Sequence, residues 1–191
     1  MNKHKISNAV KEQRALLETS FLDQGMALQT FAGQVVNTFN QGGRLLVIGN
    51  GSLSAVANLI ANLFIHRLSL ERPPLPALSL GHDATLATSL VRDGQNRLYF
   101  SRQLRTMATA SDIVLVLSDG QRDDSLTEAL AVARQLGCKT ALLAQEKADI
   151  TNETIDYSFP LKTTSIPRMI EGTLFFGHLL CELVEGELFG I

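Results

Sequence analysis

The chain has no tryptophan, and aromatic residues make up only 6% of its 191 positions. It is therefore poor in the flat side chains on which single-stranded nucleic-acid bases stack. It also lacks an excess of either charge. Seventeen Lys and Arg against nineteen Asp and Glu leave a formal charge of -2, so no basic field invites a phosphate backbone. Cysteine is scarce: Cys138 and Cys181 lie far apart, in no paired metal or redox spacing. They are read as two plain thiols of a cytosolic protein. No apolar run approaches the roughly 20 residues of a membrane span, and the opening MNKHKISNAVKEQRALLE has no apolar core for a signal peptide. The expectation is a soluble, cytoplasmic protein without direct nucleic-acid or membrane contact. What is present is ordinary globular composition, 45% hydrophobic and 19% charged. The length suits one domain that buries about 70% of its unfolded surface.

Along the chain the hydrophobic rhythm changes. From about residue 7 to 23 a helical period places Val10, Leu16, Leu17 and Phe21 on one side, with charged residues between them. Gly25 breaks that pattern, and a second helix is predicted over 26–40. The continuous apolar run 44–49 then reads as a central parallel strand. A helix over 53–68, a short strand over 76–80 and helical stretches over 83–91 and 95–107 follow. The strand 112–118 is the clearest of all; a loop leads from it to a helix over 125–136, stopped by Gly137. Strands over 139–144 and 156–161 precede a long last helix over 166–188, with Ser165 suited to its N-cap and Pro167 to its first turn. Strand and helix alternating after two leading helices predict an α/β fold: a doubly wound parallel sheet flanked by helices, with an N-terminal helical pair. Ligands of such sheets bind beyond the carboxyl ends of the strands at the switch point. Two loops, 50–54 and 118–124, leave strand ends in the right way to border one site.

The first loop, Gly49-Asn50-Gly51-Ser52-Leu53-Ser54, fits a dinucleotide fingerprint only in part, because Ser54 stands where the third glycine belongs. No Gly-Lys-Ser/Thr follows, so the Walker pattern is absent. Two readings remain open. One is a nest of backbone N–H groups at a helix N-terminus, with the Ser52 and Ser54 hydroxyls beside it, able to hold an anion. The other is a tight strand-to-helix turn that needs glycine for space. In the second loop, Ser118 ends a strand and Asp124 or Ser125 is placed to cap the next helix. Its acids oppose a phosphate. A carboxylate about 5 Å from a phosphate charge costs roughly 3 kcal/mol at an effective dielectric near 20. That offsets two or three neutral hydrogen bonds at about 1 kcal/mol each. Arg122 compensates only if it points inward, so the loop is read as an exposed, solvated acidic turn.

VIGNGS, ERPPLPALSL, the Arg92-Asp93 pair, DIVLVLS with its loop, and IPRMIEG fall in the order seen in sugar isomerase (SIS) domain proteins. The chain resembles that family over nearly its whole length, and is most similar to the phosphoheptose isomerase group and its non-catalytic, DnaA-associating, DiaA-like relatives. The resemblance implies a single SIS domain over 1–191, with helices in 1–42 and the α/β core in 43–191. It implies phosphosugar binding through Ser/Thr-rich loops and homotetramers with sites shared between subunits. For the enzymes it implies conversion of sedoheptulose 7-phosphate to a heptose phosphate. Such an aldose–ketose exchange moves a proton between neighbouring carbons and needs a base and an acid on either side of the substrate.

The chain departs from the enzymes at the positions that carry the chemistry. The His and Glu that the family places on the first helix after the loop fall on Leu59 and Leu63, and a catalytic His in the last helix falls on Thr173. A phosphate-contacting Ser falls on Leu53, and of the second loop's usual hydroxyls only Ser118 is kept. Arg168 and Glu171 keep the family's Arg-x-x-Glu. The expected ligand-binding set is Asn50, Gly51, Ser52, Ser54, Asp93, Ser118, Arg168 and Glu171, with no metal and no cofactor. For a relocated acid/base pair only Glu171 and His178 stand as candidates, two helical turns and about 10.5 Å apart along the axis. The plainer reading pairs Glu171 with Arg168 and packs His178 among its apolar neighbours. His66 and His82 have no partner in a recognisable spacing. The resulting expectation is a phosphosugar-binding-type protein without isomerase activity, a DiaA-like homo-oligomer, expected as a tetramer, acting through protein contacts. DnaA is its candidate partner, and Leu188-Phe189 near the end matches a pair in that relative. The alternative is a phosphoheptose isomerase or another sugar-phosphate isomerase.

Overall fold

A computed structural model describes residues 2–69, 71–148 and 154–190. Five parallel strands form one sheet in the order β2-β1-β3-β4-β5. They are β1 (Leu45–Gly49), β2 (Ala77–Ser79), β3 (Ile113–Leu117), β4 (Lys139–Gln145) and β5 (Tyr157–Leu161). Every residue of β1 and β3 is buried, which is why both read as unbroken apolar runs rather than alternating ones. Leu45 pairs with Ile113 and Ile113 with Lys139. The helices are α1 (Asn2–Leu17), α2 (Gly25–Asn40), α3 (Ser52–Ile65), α4 (Ala84–Arg92), α5 (Tyr99–Met107), α6 (Asp124–Gln135) and α7 (Ile166–Phe189). Leu45, Val47, Ile113 and Leu115 face a core shared with α2, α3 and α7, while Leu46, Ile48, Val114 and Val116 face α5 and α6. The sheet is thus covered on both sides, as predicted. The chain runs from β1 outward to β2 and then back across to β3, so the switch point lies between β1 and β3.

Several local expectations are corrected. The first helix starts earlier than residue 7, and a π turn, Glu18–Leu22, widens its end. That turn lets Ser20 Oγ accept the Lys162 amide at 3.0 Å. Val10 does not join the apolar face: it is exposed, because α1 meets the body through Leu16, packed over Gly172 of α7. Gly25 opens the second helix rather than breaking it. The third helix ends at Ile65, not Leu68, because Arg72 takes its last carbonyls. Arg72 Nη1 donates to Phe64 O at 2.7 Å and Nη2 to Leu63 O at 2.8 Å. Ser165 occupies the N-cap position of α7 without a side-chain cap bond, and its amide instead donates to Thr163 Oγ1 at 3.1 Å.

Two ion pairs pin the layers. At the amino end of the sheet, buried Asp112 accepts from Arg44 Nη2 at 2.9 Å and from the Arg44 and Thr109 amides at 2.8 Å. At the carboxyl end of α3, Arg72 Nε donates to Glu185 Oε1 of α7 at 2.8 Å. Both cysteines are free and buried. Among the described residues no helix is long and apolar enough to cross a membrane.

Candidate functional site

The β1–α3 and β3–α6 turns leave adjacent strands at the switch point. A Cβ on Gly49 would lie 2.7 Å from the Leu53 carbonyl oxygen, so the strand can pass under α3 only as glycine. Gly51 stands at φ 54 and ψ -130, a region that side chains rarely adopt. Space and backbone geometry therefore both demand this glycine turn. α3 begins with no side-chain cap, and the Leu53 and Ser54 amides donate back to Asn50 and Gly51 at 3.0 and 3.1 Å. Ser54 Oγ donates to Gly81 O at 3.4 Å, which ties the turn to the residues after β2.

The facing loop is built around Asp123, which takes the N-cap of α6 that Asp124 or Ser125 was expected to hold. Its half-buried carboxylate accepts the Ser125 amide at 2.9 Å, the Leu126 amide at 3.3 Å, the Ser125 hydroxyl at 2.7 Å and Asn50 Nδ2. Asn50 Nδ2 also donates to Ser125 Oγ at 2.8 Å, so the two turns are latched together. One turn earlier, the Gly120 amide donates to Ser118 Oγ at 3.1 Å and the Gln121 amide to Asp119 Oδ1 at 3.0 Å. The expected exposed, solvated acidic turn is corrected. Asp119 and Asp123 are partly buried because the loop's own amides need acceptors, while Gln121, Arg122 and Asp124 stay exposed. Burial pushes the Asp123 carboxyl up. The hydrogen bonds from Ser125, Asn50 and Leu126 outweigh it and hold the group below the usual carboxylate range.

The latch separates two cavities. The larger, about 940 Å³, is lined by Asn50, Ser54, His82, Arg97, Tyr99 and Arg122 among others. The smaller, about 210 Å³, is lined by Ser52, Ser118, Asp119, Ile166 and Met169 among others. Asn50, Gly51, Ser52, Ser54 and Ser118 are therefore brought together at the strand ends. Asp93 is exposed at the C-cap of α4, 3.2 Å from Arg92 Nε, with its neighbour Gly94 on the cleft wall. Arg168 and Glu171 are placed elsewhere. Arg168 Nη1 donates to Ala9 O at 2.9 Å and Nη2 pairs with Glu171 at 3.0 Å, and both line a groove between α1 and α7. His178 is half-buried on α7.

The positions at which the resemblance led us to expect an acid and a base carry no group that exchanges a proton at neutral pH. Leu59 is 41% exposed, Leu63 is 7% exposed, and Thr173 is buried. Proton-carrying groups instead reach the cleft from elements that the sequence reading did not connect to it. His82 lies in the segment between β2 and α4, just before Asp83, whose side chain caps α4 by accepting the Leu86 amide at 2.8 Å. Tyr99 opens α5. Burial lifts its phenol above the ordinary value, against the hydrogen bonds to the Asp83 backbone and Gln103 that lower it, and the protonated phenol can donate. The signal for His82 was its place in the short segment between a strand and the next helix, on the same edge as the two loops already singled out. Among the described residues no cluster of three or more His, Cys, Asp or Glu is placed to hold a metal.

The SIS domain family model matches residues 10–144. The chain is 31% identical over 187 residues to a phosphoheptose isomerase of Thermodesulfovibrio yellowstonii, covering 98% of this chain and 93% of that one. It is 33% identical over 184 residues to a phosphoheptose isomerase of Pelobacter propionicus, covering 96% and 97%. Among solved structures, a phosphoheptose isomerase from Francisella tularensis superposes with a TM-score of 0.88 at 23% identity, covering 96% of this chain and 98% of that one. One from Neisseria gonorrhoeae gives 0.86 at 18%, covering 96% and 99%. The two structural likenesses carry the fold. The relatives' names over nearly full length overturn the expectation of a non-catalytic, DiaA-like regulator and favour the isomerase alternative. That expectation gave three positions, Leu59, Leu63 and Thr173, more weight than the rest of the chain.

Proposed function

The chain belongs to the SIS domain family, and we propose from that premise that it is a sugar-phosphate isomerase of the phosphoheptose type. The observation that carries the reading is the cleft itself. It sits at the switch point of a fold shared end to end with phosphoheptose isomerases, and it is lined by groups able to move a proton and meet a phosphate. Interconverting a ketose and an aldose removes a proton from the carbon beside the carbonyl, passes through an ene-diol, and returns a proton to the neighbouring carbon. His82 is the group assigned to carry that proton, and the protonated phenol of Tyr99 donates to the carbonyl oxygen as charge develops on it. The side-chain oxygens of Asn50 and Ser54 are left to accept from the sugar's own hydroxyls. Arg97 and Arg122 meet the phosphate; their present partners, Glu128 at 3.6 Å and Asp124 at 3.3 Å, hold them loosely at the cleft edge.

Assembly as a homotetramer belongs to the same proposal. Exposed Ile6, Val10, Leu22 and Met26 on the N-terminal segment support it. The test is incubation of the purified chain with sedoheptulose 7-phosphate and separation of the products. A heptose 7-phosphate aldose formed by the wild type and reduced at least about a hundredfold in His82→Gln supports the reading. Full turnover by His82→Gln removes the histidine from its role.

A further inference from the structure

We propose that Asp123 is a specificity-determining residue of this cleft: it fills the anion-attracting start of α6 with the protein's own carboxylate. A sugar phosphate must then direct its phosphate toward Arg97 and Arg122. The inference rests on the sugar-phosphate reading above and says where the phosphate goes. Helix N-termini attract anions because their first N–H groups lack partners and their dipoles point outward. The twelve-residue α6 starts just past β3, at the switch point, where a ligand phosphate would ordinarily find such groups. Here the donors are spent. Ser125 and Leu126 give their amides to Asp123, Gln121 gives its amide to Asp119, and Gly120 gives its amide to Ser118. Asn50, the polar side chain of the opposite turn, gives its amide group to Asp123 and Ser125. The held-down pKa of Asp123 agrees with a charged carboxylate in that place at neutral pH.

An incoming phosphate has two choices at this loop. It can displace Asp123 and break the latch to Asn50, or it can sit beside a like charge. Arg97, on the turn before α5, and Arg122, on this loop but turned to solvent, are 63% and 86% exposed at the side chain, so both can turn to an anion without unburying anything.

Asp123→Asn tests this. Asparagine caps a helix as well as aspartate does, so the substitution removes the charge and keeps the cap's acceptor, while its amide group takes the place of the oxygen that receives Asn50. Calorimetric titration of the full chain with inorganic phosphate is expected to show binding at least roughly tenfold tighter in Asp123→Asn than in the wild type. Titration with sedoheptulose 7-phosphate is expected to weaken several-fold in Arg97→Gln and in Arg122→Gln. Asp123→Ser, which also caps, repeats the test should the asparagine variant fold poorly. No gain for phosphate in either capped variant overturns the inference, as does unchanged sugar-phosphate affinity in both arginine variants. Wild-type turnover decides the isomerase reading separately. Turnover without the gain in Asp123→Asn sinks only the inference, and the gain without turnover sinks only the isomerase.

Discussion

Arg72 and Glu185 join the end of α3 to α7 through side chains that are 0% and 3% exposed. Arg72 spends its donors on Glu185 Oε1 at 2.8 Å, Phe64 O at 2.7 Å, Leu63 O at 2.8 Å and Pro73 O at 3.0 Å. Arg72→Met keeps the apolar stem and removes all of them. Glu185 is left with the Leu68 amide at 3.3 Å as its remaining strong donor. Removing one partner of a buried pair costs about 3–5 kcal/mol, because the other charge stays buried without compensation. The two helix carbonyls raise the cost less, since Phe64 O keeps the Leu75 amide at 3.0 Å and the chain end can relax toward water. The expected loss is about 4 kcal/mol, read as a lower urea midpoint at unchanged slope. For a chain of this size it is also a melting point lowered by roughly 8–16 °C. Arg72→Met with Glu185→Leu removes the stranded charge as well and should recover at least about half of the loss. A single variant that loses under about 1 kcal/mol, or a double variant no better than the single, would refute the clamp.

Gly51→Ala forces a Cβ onto φ 54 and ψ -130 and should lose about 1–3 kcal/mol in urea titration. Gly25→Ala, at the start of α2 with nothing within 4 Å and no positive φ, should lose nothing measurable, and an equal loss at both positions would contradict the assigned strain. Three carboxyls, Asp112, Asp123 and Asp156, are each pushed up by burial. Hydrogen bonds from Arg44, from Ser125 and Asn50, and from Thr140 respectively outweigh it, and the net pKa of each is lowered. A carboxylate with a folded-state pKa below its unfolded value adds stability that is complete above about pH 5 and is lost as pH falls through the native value. Stability should therefore fall on acidification below about pH 4–5, and Asp112→Asn should start lower and show a flatter acid limb. An acid limb as steep in that variant as in the wild type would exclude Asp112 from it.

Hydrophobic rhythm was enough to read the sheet. The runs at β1 and β3 are apolar on both faces because helices cover both, whereas a strand with one solvated face would alternate. Caps were harder. Asp123, Asp124 and Ser125 stand side by side, each chemically able to cap α6, and only the tertiary bond to Asn50 selects the first. The clamp of Arg72 to Glu185 spans 113 residues, a separation at which a charged pair leaves no local trace. At the site, the two loops on β1 and β3 were legible because glycine, serine and acid residues punctuate them. His82 and Tyr99 were not, because they reach the cleft from the far side, after β2 and at the start of α5. The functional reading erred for a related reason. Leu59 and Leu63 remove the proton carriers from one helix, and sequence spacing alone does not show that other elements bring their own.

Proton transfer at a sugar carbon is the most direct test of the central claim. The chain is incubated with sedoheptulose 7-phosphate in deuterium oxide and the sugar carbons are followed by NMR. An isomerase exchanges through solvent at the active site, so the account predicts an aldose heptose phosphate carrying deuterium at the carbon that gains the new proton. It also predicts loss of both product and label in His82→Gln. Folded wild-type protein at saturating substrate that yields neither the aldose nor any deuterated carbon would contradict it.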